Sequence, residues 1–401
     1  MERRQAFKFE LMPNGEQQRM MRRFAGSVRY VYDHALALQK EMHETTGRSH
    51  TRYQLDKLLT LWKQETPWLS ETPAHALQQA LVDLDKAYQN FFKKRAQFPK
   101  FKKKGQRTSF RESDPQCITL EQGPSRIRLP KIGWVRYRNS REVLGEIRNV
   151  TVSESCGRWF VSISTRREVE RPKHPATSAV GMDWGVTVFA TLSDGEVKEQ
   201  CQPLKKFLPK LAKLQRRMAK KIKFSSNWKK AKARITKLHS KIANTRRDFV
   251  HKVSKDISKN HVVVCIEDLP VKNMSKSATK RVAQKSGLNR SILHASPFAL
   301  RHQLEYKTQW QGGLLVPVPA KNTSRTCPVV LGGCGHVSAE NRKSQSAFVC
   351  VSCGFSANAD FVGAVNIREA GLASLACSQP SGEVSPSCQE PTEAIQVQQC
   401  A

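Results

Sequence analysis

The sequence lacks long hydrophobic runs, which excludes several classes of protein. No stretch of about 18 apolar residues occurs in the 401 residues, so a membrane-spanning helix of ordinary length is not expected. The N-terminal segment MERRQAFKFELMPNGEQQ has no apolar core of the kind that a secretory signal peptide needs. We therefore expect a cytoplasmic protein without a membrane partner, whose 11 cysteines stay mostly reduced.

Acidic residues are also scarce, and this scarcity points to a partner. The chain has 34 Asp and Glu against 68 Lys and Arg, a formal net charge of +34. Such an excess is typical of proteins that bind the phosphate backbone of nucleic acids. One basic cluster, residues 93–104, contributes four candidate backbone contacts: Lys100, Lys102, Lys103 and Lys104. A solvated basic linker is the alternative for these four lysines.

Hydrophobic periodicity divides the first part of the chain into strands and helices. Residues 4–11 alternate between apolar and polar and predict a strand, whereas residues 16–43 and 73–95 show helical spacing. Between residues 108 and 170 the period returns to two, with Cys156-Gly157 predicted as a turn. We expect a small antiparallel barrel or sandwich, with a helical block inserted after its first strand.

The second part of the chain reads as an α/β domain. The segment AVGMDWGVTVFATLSDGEV predicts two strands joined by a Ser-Asp-Gly turn, and two long basic helices follow it. HVVVCIEDL is typical of a strand that is buried on both faces, and LLVPVP predicts a further strand. ADFVGAVNIREA predicts the last helix. This alternation favours a partly parallel sheet.

Three acidic residues stand in apolar surroundings where a surface charge is not expected. Asp183 lies in the first predicted strand, Glu267 ends the buried one, and Asp360 opens the last helix. In open α/β sheets, sites form at the carboxyl ends of strands. Carboxylates that converge there repel one another, and Mg²⁺ is the cation that suits them. Taken singly, each residue has an ordinary alternative: a turn former, an exposed strand end or a helix N-cap.

Four cysteines have spacings that suggest a zinc ribbon. Cys350 and Cys353 form a tight pair, and Cys334 with Cys327 forms a second pair that has six residues between its members instead of two to four. The segment PVVLGG can loop out between them, aided by its glycines. His336 in place of one cysteine is the main alternative. With four protein ligands, the zinc would be structural.

The order of the motifs resembles a known family. GMDWGV, VCIEDLP, KSGLNRSIL, NTSRTC, CGHVSAENRKSQSAFVCVSCGF and NADFVGAVNI follow one another as they do in the transposon-encoded TnpB (OrfB) proteins, which are similar to compact type V CRISPR effectors. The resemblance covers about residues 1–370. It implies an RNA-guided DNA endonuclease in which Asp183, Glu267 and Asp360 are the catalytic carboxylates of a two-magnesium site. It also places zinc on Cys327, Cys334, Cys350 and Cys353.

The resemblance implies a multidomain α+β fold. Its parts are an RNase H-like (RuvC-like) nuclease domain with a zinc-ribbon insert and a split β-barrel "wedge" that carries an inserted helical recognition lobe. The implied partners are a transposon-derived guide RNA and target double-stranded DNA; the oligomeric state stays open. The expected boundaries are 1–11 and 105–174 for the wedge, 12–104 for the lobe, 175–326 and 355–370 for the nuclease, 327–354 for the ribbon and 371–401 for a disordered tail.

Two other functions remain compatible with the sequence. One is an RNA-guided DNA-binding protein that does not cut, a repressor-like role that the unusual first cysteine pair favours. The other is a transposase that transfers DNA strands, since related folds host that chemistry.

Overall fold

The computed structural model describes residues 1–106, 108–277 and 279–378, and the chain divides into two compact units. Unit 1 is Met1–Glu170 and unit 2 is Arg171–Ala401. The division comes four residues before the predicted boundary at 174/175, close to the end of the last strand of unit 1. Over the described ranges, every helix is too short or too polar to cross a bilayer.

Among its described residues, unit 1 contains three α-helices and seven strands. The helices are α1 (Gly15–Thr46), α2 (Arg52–Glu65) and α3 (Ala74–Phe92). The strands are β1 (Glu2–Met12), β2 (Thr108–Glu112), β3 (Thr119–Glu121), β4 (Arg126–Leu129), β5 (Gly133–Tyr137), β6 (Glu146–Ser155) and β7 (Arg158–Glu168).

The strands of unit 1 form one antiparallel sheet in the order β2-β6-β7-β1-β5-β4-β3. The first strand thus pairs with two late ones, which confirms that the helical block is inserted after β1. Cys156 and Gly157, both with positive φ (55° and 77°), make the tight β6–β7 turn that the sequence predicts. In the described part of this unit no pairing joins the end strands β2 and β3, so hydrogen bonds do not close the predicted barrel.

The helices and the sheet of unit 1 share a single hydrophobic core. Phe24 of α1 packs edge-to-face on Phe110 of β2, with ring centroids 5.6 Å apart. Helix α2 was not expected from the sequence. It begins with a capping box between Thr51 and Gln54 and buries Leu55, Leu59 and Trp62 at helical spacing. The lobe and the sheet are therefore layers of one body.

Unit 2 contains six helices and seven strands among its described residues. Its helices are α4 (Pro203–Ala219), α5 (Ser226–Asn260), α6 (Val271–Met274), α7 (Val282–Ala295), α8 (Pro297–Trp310) and α9 (Ala359–Ser378). Its strands are β8 (Ala179–Trp184), β9 (Val188–Leu192), β10 (Val197–Glu199), β11 (Val263–Glu267), β12 (Leu314–Val318), β13 (Ala347–Val349) and β14 (Ser356–Asn358).

The main sheet of unit 2 has the order β10-β9-β8-β11-β12. Strand β9 runs antiparallel to both of its neighbours, β8 and β10, while β11 runs parallel to both β8 and β12, so the predicted partly parallel sheet is confirmed. Strand β11 is buried on both faces: Val264 and Ile266 pack with α5 and α8 in one cluster, and Cys265 packs with Ile367 of α9 in another. The sheet is therefore the middle layer of three.

Unit 2 differs from the sequence-based expectation in three places. The segment AVGMDWGVTVFATLSDGEV contributes to three strands instead of two: the predicted Ser-Asp-Gly turn joins β9 to β10, but residues 185–187 form an additional turn that separates β8 from β9. Helices α6 to α8, between β11 and β12, were not predicted. The final helix runs to Ser378 instead of residue 370, because the Ala- and Leu-rich segment GLASLACS continues it. Residues 371–378, assigned to the disordered tail, are therefore helical, and residues 379–401 lie outside the described residues.

Candidate active site and metal centre

Asp183 and Glu267 stand at the carboxyl ends of neighbouring parallel strands. Strand β8 pairs with β11 in a register that ends with Met182 opposite Ile266, and each acidic residue is the next one along its strand. Parallel neighbours lie about 4.8 Å apart, so this register brings the two side chains to one edge of the sheet. Both residues are half-buried. For Glu267, this excludes the alternative of a fully exposed strand end.

Asp360 reaches the same region from the first turn of α9. The helix N-cap is Asn358, whose Oδ1 accepts hydrogen bonds from the backbone N–H groups of Asp360 (2.9 Å) and Phe361 (3.2 Å). The cap alternative for Asp360 is therefore wrong. Its carboxylate instead accepts a hydrogen bond from Arg342 Nη2 at 3.1 Å.

Two glycines allow α9 to lie directly on β8. A Cβ atom on Gly181 would come within 2.0 Å of the Ala364 carbonyl oxygen. A Cβ atom on Gly363 would lie 3.1 Å from Asp183 Oδ2. Both contacts are closer than real Cβ atoms ordinarily make, so these positions tolerate only glycine without movement of a neighbour. The close approach sets Asp183 under the first turns of the helix.

The charges at this site oppose one another. The pKa of Asp183 is raised to about 7: burial is the largest cause, the negative charges of Glu267 and Asp360 also raise it, and the charge of Arg342 lowers it. Burial also raises the pKa of Glu267, while a hydrogen bond from Thr323 and the charge of Arg342 lower it. Raised pKa values mean that these carboxylates hold protons more readily than ordinary ones. A cation bound here would take the place of those protons and stabilise the charged carboxylates.

Arg342 is the site residue that sequence reasoning missed. It belongs to the cysteine-rich segment, lies 3.1 Å from Asp360, and opposes the raised pKa values of both Asp183 and Glu267. Its ion pair with Asp360 is partly buried, with side chains 28% and 33% exposed. The signal available in the sequence was weak, because Arg342 is one of many cations in this chain.

A hydrogen-bond chain orients Glu267. The hydroxyl of Thr323 donates to Glu267 Oε1 at 2.5 Å. Asn366 of α9 then holds the loop of Thr323 by donating from Nδ2 to the carbonyls of Thr323 and Thr326, each at 2.8 Å. The motifs NTSRTC and NADFVGAVNI thus meet at this point, one supplying the hydroxyl and the other the amide that fixes it.

The three carboxylates suit hard divalent cations by their chemistry. All are oxygen donors, they repel one another, and the guanidinium of Arg342 partly compensates them. They are held more loosely than a preformed cage: among the described residues, the two groups of metal-type side chains whose ligand atoms all lie within 4.8 Å are found elsewhere. An open set of this kind leaves room for the oxygens of a substrate.

The predicted cysteine cluster is one of those two tight groups. The sulfurs of Cys327, Cys334, Cys350 and Cys353 all lie within 4.8 Å of one another. The Sγ atoms of Cys327 and Cys353 are 3.7 Å apart, and those of Cys334 and Cys350 are 3.6 Å apart. Four sulfurs around a tetrahedral zinc, with bonds of about 2.3 Å, are separated by roughly 3.8 Å. The cluster could therefore bind zinc.

The widened first pair does not open the cluster. Residues 329–331 form a short 3-10 turn between Cys327 and Cys334, and Gly332 closes it with φ 86°. A Cβ atom on Gly333 would lie 2.5 Å from the Cys327 sulfur, so the loop returns only because this residue is glycine. The backbone carbonyl of His336 accepts from Cys327 N at 3.0 Å, and the metal-type group here consists of the four thiols. The His336 alternative is not favoured.

The four candidate lysines lie in an irregular segment after α3 and differ in their surroundings. Lys100, Lys103 and Lys104 are exposed. Lys102 is half-buried: its backbone N–H donates to Asp33 Oδ1 at 2.7 Å, and its ammonium lies 3.7 Å from the centre of the Tyr32 ring. Lys102 thus anchors the segment on α1, while the other three present their charge to solvent.

Three protein families match parts of the chain. The family described as "Probable transposase" (OrfB of IS605) matches residues 162–278, one described as "Cas12f1-like, TNB domain" matches residues 298–367, and a "Helix-turn-helix domain" matches residues 1–48. The first match spans β8 and β11, and the second spans Arg342, the four cysteines and Asp360.

Similar proteins cover nearly the whole chain. The putative RNA-guided DNA endonuclease InsQ of Escherichia coli K12 is 52% identical over 405 aligned positions, which cover 99% of each chain. A putative RNA-guided DNA endonuclease of Streptomyces pristinaespiralis is 34% identical and covers 93% of this chain and 91% of its own. Among solved structures, the Cas12f1–sgRNA–target DNA complex is 16% identical with a TM-score of 0.34, covering 91% of this chain and 99% of that one.

Proposed function

The chain belongs to the transposon-encoded TnpB (OrfB) family, and we propose from this membership that it is an RNA-guided DNA endonuclease of a transposon. The Escherichia coli and Streptomyces relatives, which align over 99% and 91% of their own lengths, are both named putative RNA-guided DNA endonucleases. The observation that carries the proposal for this chain is the convergence of three acidic residues from β8, β11 and α9 in a protein of net charge +34. A protein that only binds phosphates gains nothing from carboxylates that repel them.

Asp183, Glu267 and Asp360 are proposed as the catalytic carboxylates that hold Mg²⁺. When bound, Mg²⁺ supplies activation of the attacking water and stabilisation of the leaving oxygen in phosphodiester cleavage. Thr323 and Asn366 fix the orientation of Glu267, and Arg342 holds Asp360 in place. We assign residues 175–326 and 355–378 to a RuvC-like, RNase H-like nuclease domain, an assignment supported by the mixed sheet with acids on two adjacent parallel strands.

The four cysteines are proposed to hold a structural zinc. Four thiolates leave no open coordination position, so the ion would stabilise the segment 327–354 rather than react. The same segment carries Arg342 to Asp360, so its folding would position a group of the proposed active site. The closed sulfur cluster also removes the reason for favouring a repressor-like role, which rested on the unusual spacing of the first pair.

The basic surface is proposed to hold guide RNA and target double-stranded DNA. In RNA-guided systems the protein binds the backbone of the heteroduplex, and base pairing selects the sequence. Lys100, Lys103 and Lys104 are the exposed candidates for backbone contact. Lys102 would instead hold the segment in place through its contacts with Tyr32 and Asp33. We assign 1–11 and 105–174 to a wedge and 12–104 to a recognition lobe.

The test is cleavage of a target plasmid by the full chain co-expressed with transposon-end RNA. Asp183→Ala should lower the cleavage rate by on the order of a thousandfold or more, since metal ligation is worth several kcal/mol in such reactions. Asp248→Ala, an exposed acid on α5, is the matched control and should cleave normally. EDTA should stop the wild-type reaction, and RNA binding should be unchanged in both variants.

Three outcomes would overturn the proposal. Cleavage by Asp183→Ala at the wild-type rate would refute the site. Guided DNA binding without any cut by the wild-type chain would favour the repressor-like function. Joined transposon-end products instead of cut target DNA would favour a strand-transfer transposase.

A further inference from the structure

A second group of metal-type side chains lies in unit 1 and has no part in the proposed nuclease reaction. His75 Nδ1, a carboxylate oxygen of Asp114 and Cys117 Sγ all lie within 4.8 Å of one another. His75 is in the first turn of α3. Asp114 is the N-cap of the short 3-10 turn Pro115–Cys117, which follows β2. Two separate layers of unit 1 therefore contribute to the group.

A buried carboxylate contacts this group through one of its oxygens. Glu112, the last residue of β2, is 3% exposed, and its Oε1 lies 3.0 Å from His75 Nδ1 and accepts from Asp114 N at 3.2 Å. Its other oxygen, Oε2, is buried without any hydrogen-bond partner among the described residues. A buried carboxylate with an unsatisfied oxygen is costly unless a cation compensates it.

The donor atoms of His75, Asp114 and Cys117 are close enough to share one ion, and Glu112 adjoins them through His75. His75 Nδ1 is 3.0 Å from Glu112 Oε1 and 4.0 Å from Asp114 Oδ2, and Cys117 Sγ is 3.3 Å from the same Asp114 oxygen. Nitrogen, oxygen and sulfur ligands on a tetrahedral zinc are separated by roughly 3.3–3.8 Å. The observed distances lie on both sides of that range, so rotations of the His75, Asp114 and Cys117 side chains would complete the geometry around the buried Glu112.

We propose that Glu112, His75, Asp114 and Cys117 form a second zinc site, which ties the start of α3 to the end of β2. The mixture of one imidazole, one thiolate and two carboxylates fits zinc better than magnesium, which prefers oxygen alone. Four protein ligands leave no position for substrate, so the site is structural. Binding requires the Cys117 thiol to lose its proton, and this thiol donates a hydrogen bond to Asp114 Oδ2 at 3.3 Å.

The test is the zinc content of the untagged full chain, measured by elemental analysis after dialysis against zinc-free buffer. Wild type should hold about two zinc ions per chain, one here and one in the cysteine cluster. Cys117→Ser and His75→Ala should each hold about one. Cys156→Ser and His43→Ala, changes elsewhere in unit 1, are the matched controls and should keep both ions. Glu112→Gln, which keeps the shape of the buried side chain, should weaken zinc retention without unfolding the protein, as judged by circular dichroism.

The outcomes separate this proposal from that of the zinc ribbon. A single zinc that disappears in Cys350→Ser but persists in Cys117→Ser would overturn the second site. So would two ions that both persist in Cys117→Ser and His75→Ala. A single zinc that is lost in Cys117→Ser and kept in Cys350→Ser would support the second site and overturn the ribbon instead.

Discussion

The acidic site and the cysteine cluster both gather groups that repel one another, but the chain assembles them in different ways. The four cysteines come from one short segment, residues 327–353, and their sulfurs lie within 4.8 Å of one another. The three carboxylates come from two strands and a helix spread between Asp183 and Asp360, and they are held more loosely. A local segment can preform a tight site, whereas a site built from distant elements depends on how those elements pack.

The largest expected effect concerns the four-cysteine cluster. Cys350 is 2% exposed and its sulfur lies 3.6 Å from that of Cys334, so Cys350→Ser removes a ligand from a closed set. Structural zinc contributes about 10–16 kcal/mol of apparent binding free energy in isolated zinc fingers, so the segment should lose its ion and its protection. Elemental analysis should find one zinc fewer per chain, and limited proteolysis should cut within residues 328–346.

The matched control for this loss is Cys201→Ser, a cysteine of unit 2 outside the cluster. It should keep its zinc and its resistance to protease. An unchanged zinc content in Cys350→Ser would show that the four thiols do not act as one ligand set.

The next effect tests the packing of α9 on β8, on which the site of the three carboxylates depends. Gly363→Ala adds a Cβ atom 3.1 Å from Asp183 Oδ2, which has to move by a few tenths of an ångström. A displacement of about 1 Å can cost a hundredfold in rate, so the cleavage rate should fall on the order of tenfold. The thermal unfolding temperature should change little, because alanine also favours the helix.

Gly26→Ala is the control for that change, since its Cβ atom would meet nothing within 4 Å in helix α1. We expect it to raise the free energy of unfolding by about 0.5–1 kcal/mol and to leave cleavage unaltered. Equal cleavage by both glycine variants would contradict the view that α9 sets the position of Asp183.

The smallest effect concerns stability as a function of pH. The pKa of Asp183 is about 7 in the folded protein, above the value of about 3.9 in an unfolded chain. The folded state therefore holds this proton more tightly, and in buffer without divalent cations the carboxyl lowers stability increasingly as pH rises from about 4 to about 7. Asp183→Asn should raise the free energy of unfolding by on the order of 2 kcal/mol at pH 8, and by less at pH 5.5. Chemical denaturation at the two pH values measures this; an equal gain at both would show that ionisation of this buried carboxyl is not the cause.

The sequence predicted those features that depend on the local pattern. The buried strand β11 follows from its continuous apolar run, and the metal-type cluster follows from Cys350 and Cys353. Helix α2 was detectable from the capping box of Thr51 and Gln54, although its hydrophobic spacing was overlooked. The convergence of the carboxylates needed the parallel register of β8 and β11.

Other features depend on tertiary contacts that no local pattern encodes. Arg342 contacts Asp360 from a loop 18 residues earlier, and one arginine among 68 cations gives no distinguishing signal. The extension of α9 to Ser378 was missed for a different reason: residues 371–401 lack Lys and Arg and are rich in Ser, Gln, Pro and Cys, which suggested disorder. Gly371 in that segment nevertheless lies against Cys265 of β11 and allows the helix to continue along the sheet.

The ion pair between Arg342 and Asp360 joins the two contrasted regions into one thermodynamic system. Arg342 belongs to the cysteine-rich segment, so an ion that orders this segment would also fix the position of the positive charge that pairs with Asp360. If zinc and magnesium bind as proposed, linkage is reciprocal: whatever zinc occupancy does to the affinity for magnesium, magnesium would do to the affinity for zinc by the same factor. Titrating one ion at several fixed concentrations of the other would expose that coupling, and independent binding curves would exclude it.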